Sequence, residues 1–309
     1  MENQHSNPLL CDLETGLCRV PTAGSAATTL LRPVDKKPVT IIYFTDPICS
    51  SCWGIEPQLR KLKLEYGHSL EIEYRMGGLL PDWSYNSGGI SKPSDVAPHW
   101  DDVSHHYDMP IDGDVWLEDP LPSSYPPSIA FKAAQLQNPE LAIQFLRKIR
   151  EMVFLQKKNI TRWEHLAQAA QAVGLDVTRL KTDYEGEANE RFADDLQLGR
   201  QLGVRGFPSL FFMNDAGKQE FVYGTKPYQT YENALRKVHA SVEKQEIDRQ
   251  WQPLFDHYPT LTAREFSELS GTPRSESEAY LQRLTEQGEL FRLKTKNGDL
   301  WLRKHTVHS

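Results

Sequence analysis

Two cysteines three positions apart, Cys49 and Cys52, are the residues of this sequence best suited to chemistry. They follow an apolar, β-branched run at residues 39–44 and precede a helical pattern, so a strand becomes a helix at the pair. A Cys-x-x-Cys at such a junction is typical of a redox pair, because the N–H groups at the start of a helix favour a thiolate. We expect Cys49 to attack and Cys52 to resolve the mixed disulfide. A zinc site is the alternative, and it requires a second pair of ligands.

The remaining cysteines, Cys11 and Cys18, lie in an irregular N-terminal segment, residues 1–37. Their spacing is wide for a zinc knuckle. Three interpretations stay open: two unused thiols in a tail, an accessory disulfide, or metal binding with help from elsewhere. A further hypothesis makes them an accessory redox pair that exchanges with Cys49 and Cys52, so that the chain is a redox sensor.

The composition leaves proteins and low-molecular-weight thiols as the open classes of partner. The 309 residues suffice for one large domain or two to three smaller ones. A net charge of −7 argues against general nucleic-acid affinity. No apolar run reaches the ~20 residues of a transmembrane helix, and the N-terminus lacks a signal-peptide core. We therefore expect a cytoplasmic protein without membrane contact, in which a cysteine pair is catalytic or redox-sensing.

Apolar periodicity and turn residues predict strand, helix and strand, then a helical block, then a hairpin and a last helix. The first helix should be kinked at Pro57, which removes an intrahelical hydrogen bond. Thr161 and Glu164 form a capping-box pattern at the start of one helix of the block. The predicted helices of the block cover residues 128–137, 140–156, 161–173, 176–184 and 187–202, and the last helix covers residues 228–245.

Residues 82–127 are rich in Pro, Gly, Asp, Ser and Trp and show no clean period. We expect them to wrap over a surface. Trp83, Trp100, Trp116 and Tyr107 then either line a substrate groove or pack as ordinary core residues. The His and Asp residues of this stretch are more typical of a solvated polar loop than of a metal site.

The predicted hairpin opens with Gly206, Phe207 and Pro208. A proline at the start of an apolar strand fits only where the ladder needs no donor. The glycine just before the Phe–Pro pair favours a cis peptide bond there. Because the proline nitrogen carries no hydrogen, a redox site beside this loop would meet no competing donor there, and metal would be excluded.

In this order, the elements resemble the DsbA family, and more closely its FrnE-like, predicted thiol-disulfide isomerase members. The resemblance covers roughly residues 38–242 and implies an α/β thioredoxin fold at residues 38–245, with a helical insertion at about 85–202 and no cofactor. Four stretches carry it, namely residues 46–54, 76–79, 174–176 and 203–209.

The resemblance also implies roles for single residues. Cys49 is the nucleophile, Cys52 the resolving thiol, and Pro208 lies against their disulfide. The backbone of Phe207 pairs with an extended substrate strand, and we expect Gly206 and Trp53 to contact the substrate as well. The spacer Ser50-Ser51 departs from the Pro-His of the strong oxidants of the family. We therefore expect a weaker pKa depression at Cys49 and a more reducing potential.

Residues 246–309 lie outside the family core. Their pattern predicts a short helix within residues 261–271, with Thr262 as its cap and Gly271 at its end, and a second helix at residues 273–287. A hairpin with an Asn-Gly turn follows, which completes a winged-helix outline. The second helix carries several glutamates and is poorly suited to release counterions from DNA, although Lys294, Lys296, Arg303 and Lys304 make the hairpin basic. A docking or structural module is the favoured interpretation.

The sequence therefore predicts a cytoplasmic protein thiol-disulfide oxidoreductase or isomerase that works through Cys49 and Cys52. Two alternatives stay open. One is a DsbA-like adapter of the SpxH or YjbH type, which delivers a regulator to a protease and docks through residues 246–309. The other is the redox sensor that uses Cys11 and Cys18.

Overall fold

The computed structural model describes residues 37–84 and 91–303, and the backbone alone of residues 11, 12 and 17–19. No helix within these ranges is long and apolar enough to cross a membrane. The strands are β1 (Cys11–Asp12), β2 (Leu17–Arg19), β3 (Val39–Thr45), β4 (Leu70–Met76), β5 (Gly206–Phe207), β6 (Ser209–Asn214), β7 (Gln219–Tyr223), β8 (Thr260–Thr262), β9 (Leu290–Thr295) and β10 (Gly298–Arg303). The helices are α1 (Ser50–Gly54), α2 (Glu56–Tyr66), α3 (Val96–Tyr107), α4 (Val115–Glu118), α5 (Tyr125–Gln137), α6 (Pro139–Leu155), α7 (Trp163–Ala172), α8 (Val177–Glu185), α9 (Ala188–Gln201), α10 (Tyr228–Val238), α11 (Trp251–His257), α12 (Ala263–Ser270) and α13 (Arg274–Glu286).

The central sheet has the strand order β4-β3-β6-β7. β3 runs parallel to β4 and antiparallel to β6, and all seven of its residues are buried, as a β-branched strand in the middle of a sheet should be. Helices α2 and α10 pack on this sheet and on each other, while α9 packs on β4. This is the predicted thioredoxin-like α/β fold, with helices α3 to α9 inserted between β4 and β5.

The helix after the cysteine pair is interrupted and not kinked. α1 ends at Gly54, and α2 begins at Glu56 with Pro57 in its first turn. A proline is tolerated in a first turn because its missing N–H has no intrahelical partner there. Gly54 permits a close approach, since a Cβ at this position would lie 2.6 Å from the ring of Tyr107.

The prediction of an irregular segment at residues 82–127 is wrong, because the segment contains the twelve-residue helix α3. Val96, Trp100, Val103 and Tyr107 are buried at helical spacing, a pattern that the surrounding Pro, Gly and Asp residues obscure in the sequence. Trp116 packs edge-on against Trp100, with ring centroids 5.2 Å apart. Both tryptophans are buried core residues and line no groove.

The five helices predicted for the insertion are present within a few residues of their expected bounds. The predicted cap of α7 is wrong, because its N-cap is Arg162 and the Thr161 hydroxyl donates to the Asn159 side chain. α10 ends at Val238, seven residues before the expected end.

The C-terminal residues form the predicted winged-helix arrangement, with α12, α13 and the β9–β10 hairpin. A third strand, β8, pairs with β10 and completes a small sheet, and α11 precedes it. The sequence gives no clear signal for β8, because three residues are too few to show a period. Leu254, Phe266, Leu269, Leu281 and Trp301 are members of the separate core of this module.

The C-terminal module is fixed to the rest of the chain through Glu265. This residue closes a capping box with Thr262 at the start of α12, which packs on α2. Arg147 of α6 reaches both carboxylate oxygens of Glu265, at 2.7 and 3.1 Å, and Arg60 of α2 lies 3.2 Å away. The side chain of Glu265 has no exposed surface. Such a fully partnered buried carboxylate fixes one geometry between module and domain.

We predict that Glu265→Gln lowers the free energy of unfolding by about 3–5 kcal/mol at neutral pH, because Arg147 and Arg60 lose their charged partner. Burial by itself would raise the pKa of Glu265, but the two guanidinium groups outweigh it and hold the pKa below its ordinary value. The stabilisation is therefore complete above the ordinary pKa of a glutamate and is lost as the pH falls through the folded-state pKa. Urea unfolding of both proteins across this acidic range measures the effect.

Glu268→Gln is the matched control. Glu268 lies on the same helix and pairs with Lys61 and Arg264 at a partly exposed site, where an ion pair contributes about 0–1 kcal/mol. An equal loss at the two positions would contradict the role assigned to Glu265.

Candidate functional site

Cys49 and Cys52 lie at the junction of β3 and α1 and form a disulfide, with Cα atoms 5.2 Å apart. Cys49 is the N-cap of α1, and its Sγ accepts the backbone N–H of Cys52 at 3.1 Å. A sulfur in this position would be stabilised as a thiolate after reduction. The hydroxyl of Ser51 pairs instead with that of Tyr107, at 3.0 Å, so its bond lies away from the sulfurs.

Asp46 anchors the turn that leads from β3 to Cys49. One carboxylate oxygen accepts the N–H of Ile48 at 3.0 Å, which caps the turn. The other accepts the N–H of Leu79 and the hydroxyl of Ser124, both at 2.8 Å. Asp46 therefore connects the redox turn to the glycine turn after β4 and to the start of α5. Burial raises the pKa of Asp46 to about 6, although these hydrogen bonds act in the opposite direction.

Arg150 supports the same turn from below, and its role was not predicted from the sequence. Its guanidinium, fully buried, donates to Glu56 and to the Thr45 hydroxyl, both at 2.6 Å, and to the backbone oxygen of Asp46 at 3.2 Å. The available signal was a charged residue beside Ile149 on the apolar face of an amphipathic helix. Such a buried cation needs fixed partners.

The Phe207–Pro208 peptide bond is cis, as predicted. The strand register pairs Ser209 with Phe44, which places Pro208 beside the end of β3, where the cysteine turn begins. The oxygen of Pro208 accepts the N–H of Gly224 at 2.9 Å. The proline loop and the cysteine turn therefore meet at one end of the sheet.

The ring of Phe207 is buried against Gly77. A Cβ on Gly77 would lie 1.8 Å from the tip of this ring, so no other residue fits without displacement. Nearby, Asp195 of α9 holds the backbone N–H of Met76 at 2.9 Å. The glycine turn after β4 is thus explained by the space that Phe207 requires.

The N-terminal strand β2 occupies the edge beside the proline loop. It runs antiparallel to β5, with Cys18 opposite Phe207 and Arg19 opposite Gly206. On its other side, β1 pairs with β2 and places Cys11 opposite Cys18. The Phe207 backbone, which the resemblance pairs with a substrate strand, is therefore paired with a strand of the same chain.

This conformation is closed around the cysteine pair. Cys49, Cys52, Trp53 and Phe207 each have no exposed surface. Trp53 is part of the core in this conformation, and its expected substrate contact stays a prediction. Its Nε1 donates to the oxygen of Pro110 at 3.0 Å, and its ring stacks on Phe154.

Trp53 connects the redox turn to the C-terminal module. The guanidinium of Arg147 lies 4.3 Å from the centre of the Trp53 ring, a cation–π distance. The same guanidinium holds Glu265 of the module. The Arg147 side chain thus lies between Trp53 and the first turn of α12.

Two of the four basic residues predicted for the winged-helix hairpin, Lys296 and Arg303, form ion pairs within the chain, and Lys304 lies outside the described residues. Lys296 pairs with Asp101 and Asp114, at 2.6 and 2.8 Å, and Arg303 pairs with Asp256. Arg274, at the start of α13, pairs with Asp108. These ion pairs reduce the positive charge that is available for contacts with phosphate. Among the residues that the structure describes, no cluster of His, Cys, Asp and Glu is suited to a metal ion.

Comparison with known proteins places this geometry in a family. The family profile described as Thioredoxin matches residues 43–233. The ClpXP adapter protein SpxH of Halalkalibacterium halodurans is 33% identical over 303 residues, which is 96% of this chain and 98% of that protein. The chain belongs to the SpxH family. The SpxH of Bacillus subtilis is 28% identical over 271 residues, 86% of this chain and 89% of the relative.

Solved structures share the fold of the SpxH-family domain. A Nitrosomonas europaea protein superposes with a TM-score of 0.55 at 22% identity, covering 67% of this chain and 97% of its own. The cytosolic disulfide reductase DsbM of Pseudomonas aeruginosa gives 0.53 at 22% identity, covering 64% and 98%. The match to the H. halodurans SpxH leaves about a dozen residues of this chain uncovered, so it includes most of residues 246–309.

We predict that Asp46→Asn lowers the free energy of unfolding by about 1–3 kcal/mol. In the wild type both carboxylate oxygens accept hydrogen bonds, whereas the NH₂ group of the asparagine faces an N–H or hydroxyl donor and leaves it without an acceptor. The folded-state pKa of Asp46, about 6, lies above its ordinary value of 3.8. The wild-type carboxyl therefore stabilises the fold most at acidic pH, and this contribution declines as the pH rises toward 6. Urea unfolding of both proteins between pH 4 and pH 8 measures the difference. A wild-type advantage that grows as the pH rises would contradict the raised pKa.

Proposed function

We propose that the chain is an adapter that brings a regulatory protein to the ClpXP protease. The observation that carries this proposal is the extent of the matches. The matches to relatives named ClpXP adapters cover nearly the whole chain and therefore most of the C-terminal module. The disulfide reductase DsbM superposes on about two thirds of it. The oxidoreductase or isomerase reading of the sequence thereby becomes the second candidate.

The way the module is attached supports an adapter. A protein that holds a regulator and a protease together needs two surfaces in a fixed relation. Here α12 packs on α2, and Glu265 is clamped by Arg147 and Arg60, so the module and the domain form one body. Additional ion pairs, from Lys61 to Glu268 and from Lys296 to Asp101, extend the same contact.

The closed cysteine site also favours binding over turnover. A catalytic thiol that serves many substrates must be reached by each of them, whereas Cys49 has no exposed surface. We therefore expect the adapter activity to be independent of the cysteine pair.

We place one partner contact at Phe291 on β9. Among the described residues, Leu117, Phe221 and Phe291 are the large apolar side chains that are more than half exposed, and only Phe291 belongs to the module. It lines a shallow groove of about 440 Å³ with Leu290, Thr285 and Gln282. Exposed aromatic residues beside a groove are typical anchors of protein interfaces.

The test is ClpXP-dependent degradation in a defined mixture. Purified ClpXP, ATP and a soluble extract of cells lacking the chain are incubated with and without purified protein, and the half-lives of extract proteins are measured by mass spectrometry. We expect the chain to accelerate the loss of at least one regulatory protein. The double variant Cys49→Ala, Cys52→Ala should retain the acceleration. Phe291→Glu should reduce it by about tenfold or more, the effect of losing an interface anchor.

Leu117→Glu and Phe221→Glu are the matched controls, because they place the same charge at equally exposed apolar positions outside the module. Full activity of Phe291→Glu would remove the module contact from the proposal. An acceleration that disappears with the cysteines would contradict redox-independent adapter action. If no protein is degraded faster in the presence of the chain, the adapter proposal fails.

A second candidate is thiol-disulfide exchange, supported by the disulfide beside the cis-proline loop and by the N–H of Cys52 that contacts the sulfur of Cys49. Low-molecular-weight and protein thiols are its partners. A rate of glutathione-dependent exchange that Cys49→Ala abolishes would support this activity, and equal rates in the two proteins would exclude it.

A further inference from the structure

We propose that Cys11 and Cys18 form a second redox centre, which exchanges electrons with the Cys49–Cys52 disulfide within the same chain. The N-terminal hairpin β1–β2 presents this pair to the site as an internal strand. The proposal concerns the chain alone and stands independently of the adapter proposal.

The strand order places Cys18 nearer to the site than Cys11. β2 pairs directly with β5, and β1 lies on the far side of β2. Neighbouring strands are about 4.8 Å apart, so the Cys18 backbone is one strand spacing from Phe207 and the Cys11 backbone is two. Cys18 is opposite Phe207, the residue before the cis-proline.

The same strand also lies against the helix that carries Cys52. Cα atoms of β2 approach those of α1 to within 8 Å. Cys49, which begins this helix, has no exposed surface. An external thiol must therefore wait for the site to open, whereas the backbone that carries Cys18 is already paired within the closed structure.

Cys11 and Cys18 are themselves in a register that permits a disulfide. Directly opposed residues of antiparallel strands have Cα atoms about 4.5–5.5 Å apart, and disulfides span Cα distances of about 4.4–6.8 Å. The chain can therefore carry one disulfide at either pair.

The exchange needs no external oxidant or reductant. The Cys18 thiolate attacks Sγ of Cys49, so that an S–S bond forms between them and Cys52 leaves as a thiolate. The Cys11 thiolate then attacks Sγ of Cys18 and releases Cys49. Two electrons pass from the N-terminal pair to Cys49 and Cys52. The N-terminal pair gives two protons to solvent, and the newly formed thiolates take up two.

The intermediate can be trapped in the full-length Cys11→Ser, Cys52→Ser variant, which lacks both resolving thiols. The variant is reduced, freed of reductant, oxidised with one equivalent of diamide, and quenched with maleimide in acid. Non-reducing peptide mapping by mass spectrometry then identifies the linked cysteines. We expect a Cys18–Cys49 disulfide within the monomer, in a yield that is unchanged from about 1 to about 100 µM protein, as an intramolecular reaction requires.

Two further variants sharpen the assignment. Cys52→Ser alone should pass the bond on to Cys11 and Cys18 and leave Cys49 reduced, because Cys11 resolves the mixed disulfide. In Cys52→Ser with Cys18→Ser, the yield of disulfides to Cys49 should fall at least about tenfold, because Cys11 lies a strand farther away. Cys52→Ala in place of Cys52→Ser provides the same trap if the serine variant does not fold.

A Cys49 that stays unlinked to Cys18 in the Cys11→Ser, Cys52→Ser variant would overturn the proposal. A link whose yield rises with protein concentration would also overturn it, since the reaction would then occur between molecules. Neither result bears on protease delivery, which the degradation experiment measures separately.

Discussion

Two buried guanidinium groups on one helix connect the parts of this structure. Arg150 of α6 holds the end of β3 and the turn before Cys49. Arg147, one turn earlier, stacks on Trp53 and binds Glu265 of the C-terminal module. A buried cation is stable only with fixed partners, because taking it out of water costs several kcal/mol. The insertion helix therefore determines where both the cysteine turn and the module lie.

This arrangement changes the surroundings of the cysteine pair in the thioredoxin fold. The fold keeps the cis-proline loop and the cysteine pair, but Cys49 and Cys52 are enclosed and β2 occupies the edge beside Phe207. At the same time a second module is clamped onto the domain through a contact centred on Glu265. A rigid body with two surfaces and an enclosed thiol pair suits delivery of one protein to another. Under the exchange proposed above, redox chemistry would be an internal property of the chain.

The sequence predicted the elements whose signals are local. The strand before Cys49, the cis bond at Pro208 and the Thr262 cap of α12 each depend on neighbouring residues, and the structure confirms them. The contacts of Arg150 and the pairing of β2 with β5 escaped prediction, because their partners are about a hundred residues or more away in the chain. The core position of Trp53 escaped prediction for the same reason, since Arg147 and Pro110, which cover it, are distant in sequence. Helix α3 differs, because its apolar residues recur at helical spacing in the sequence but stand among Pro, Gly and Asp residues typical of loops.

The enclosure of the Cys49–Cys52 disulfide is tested most directly by its rate of reduction. The measurement uses a full-length variant with Cys11→Ser and Cys18→Ser, so that internal exchange is absent, and dithiothreitol as the reductant. If reduction requires opening of the site, the native chain should react at least about 100-fold more slowly than the same chain unfolded in urea. Equal rates in the native and the unfolded chain would show that the sulfurs are open to solvent and would contradict the account.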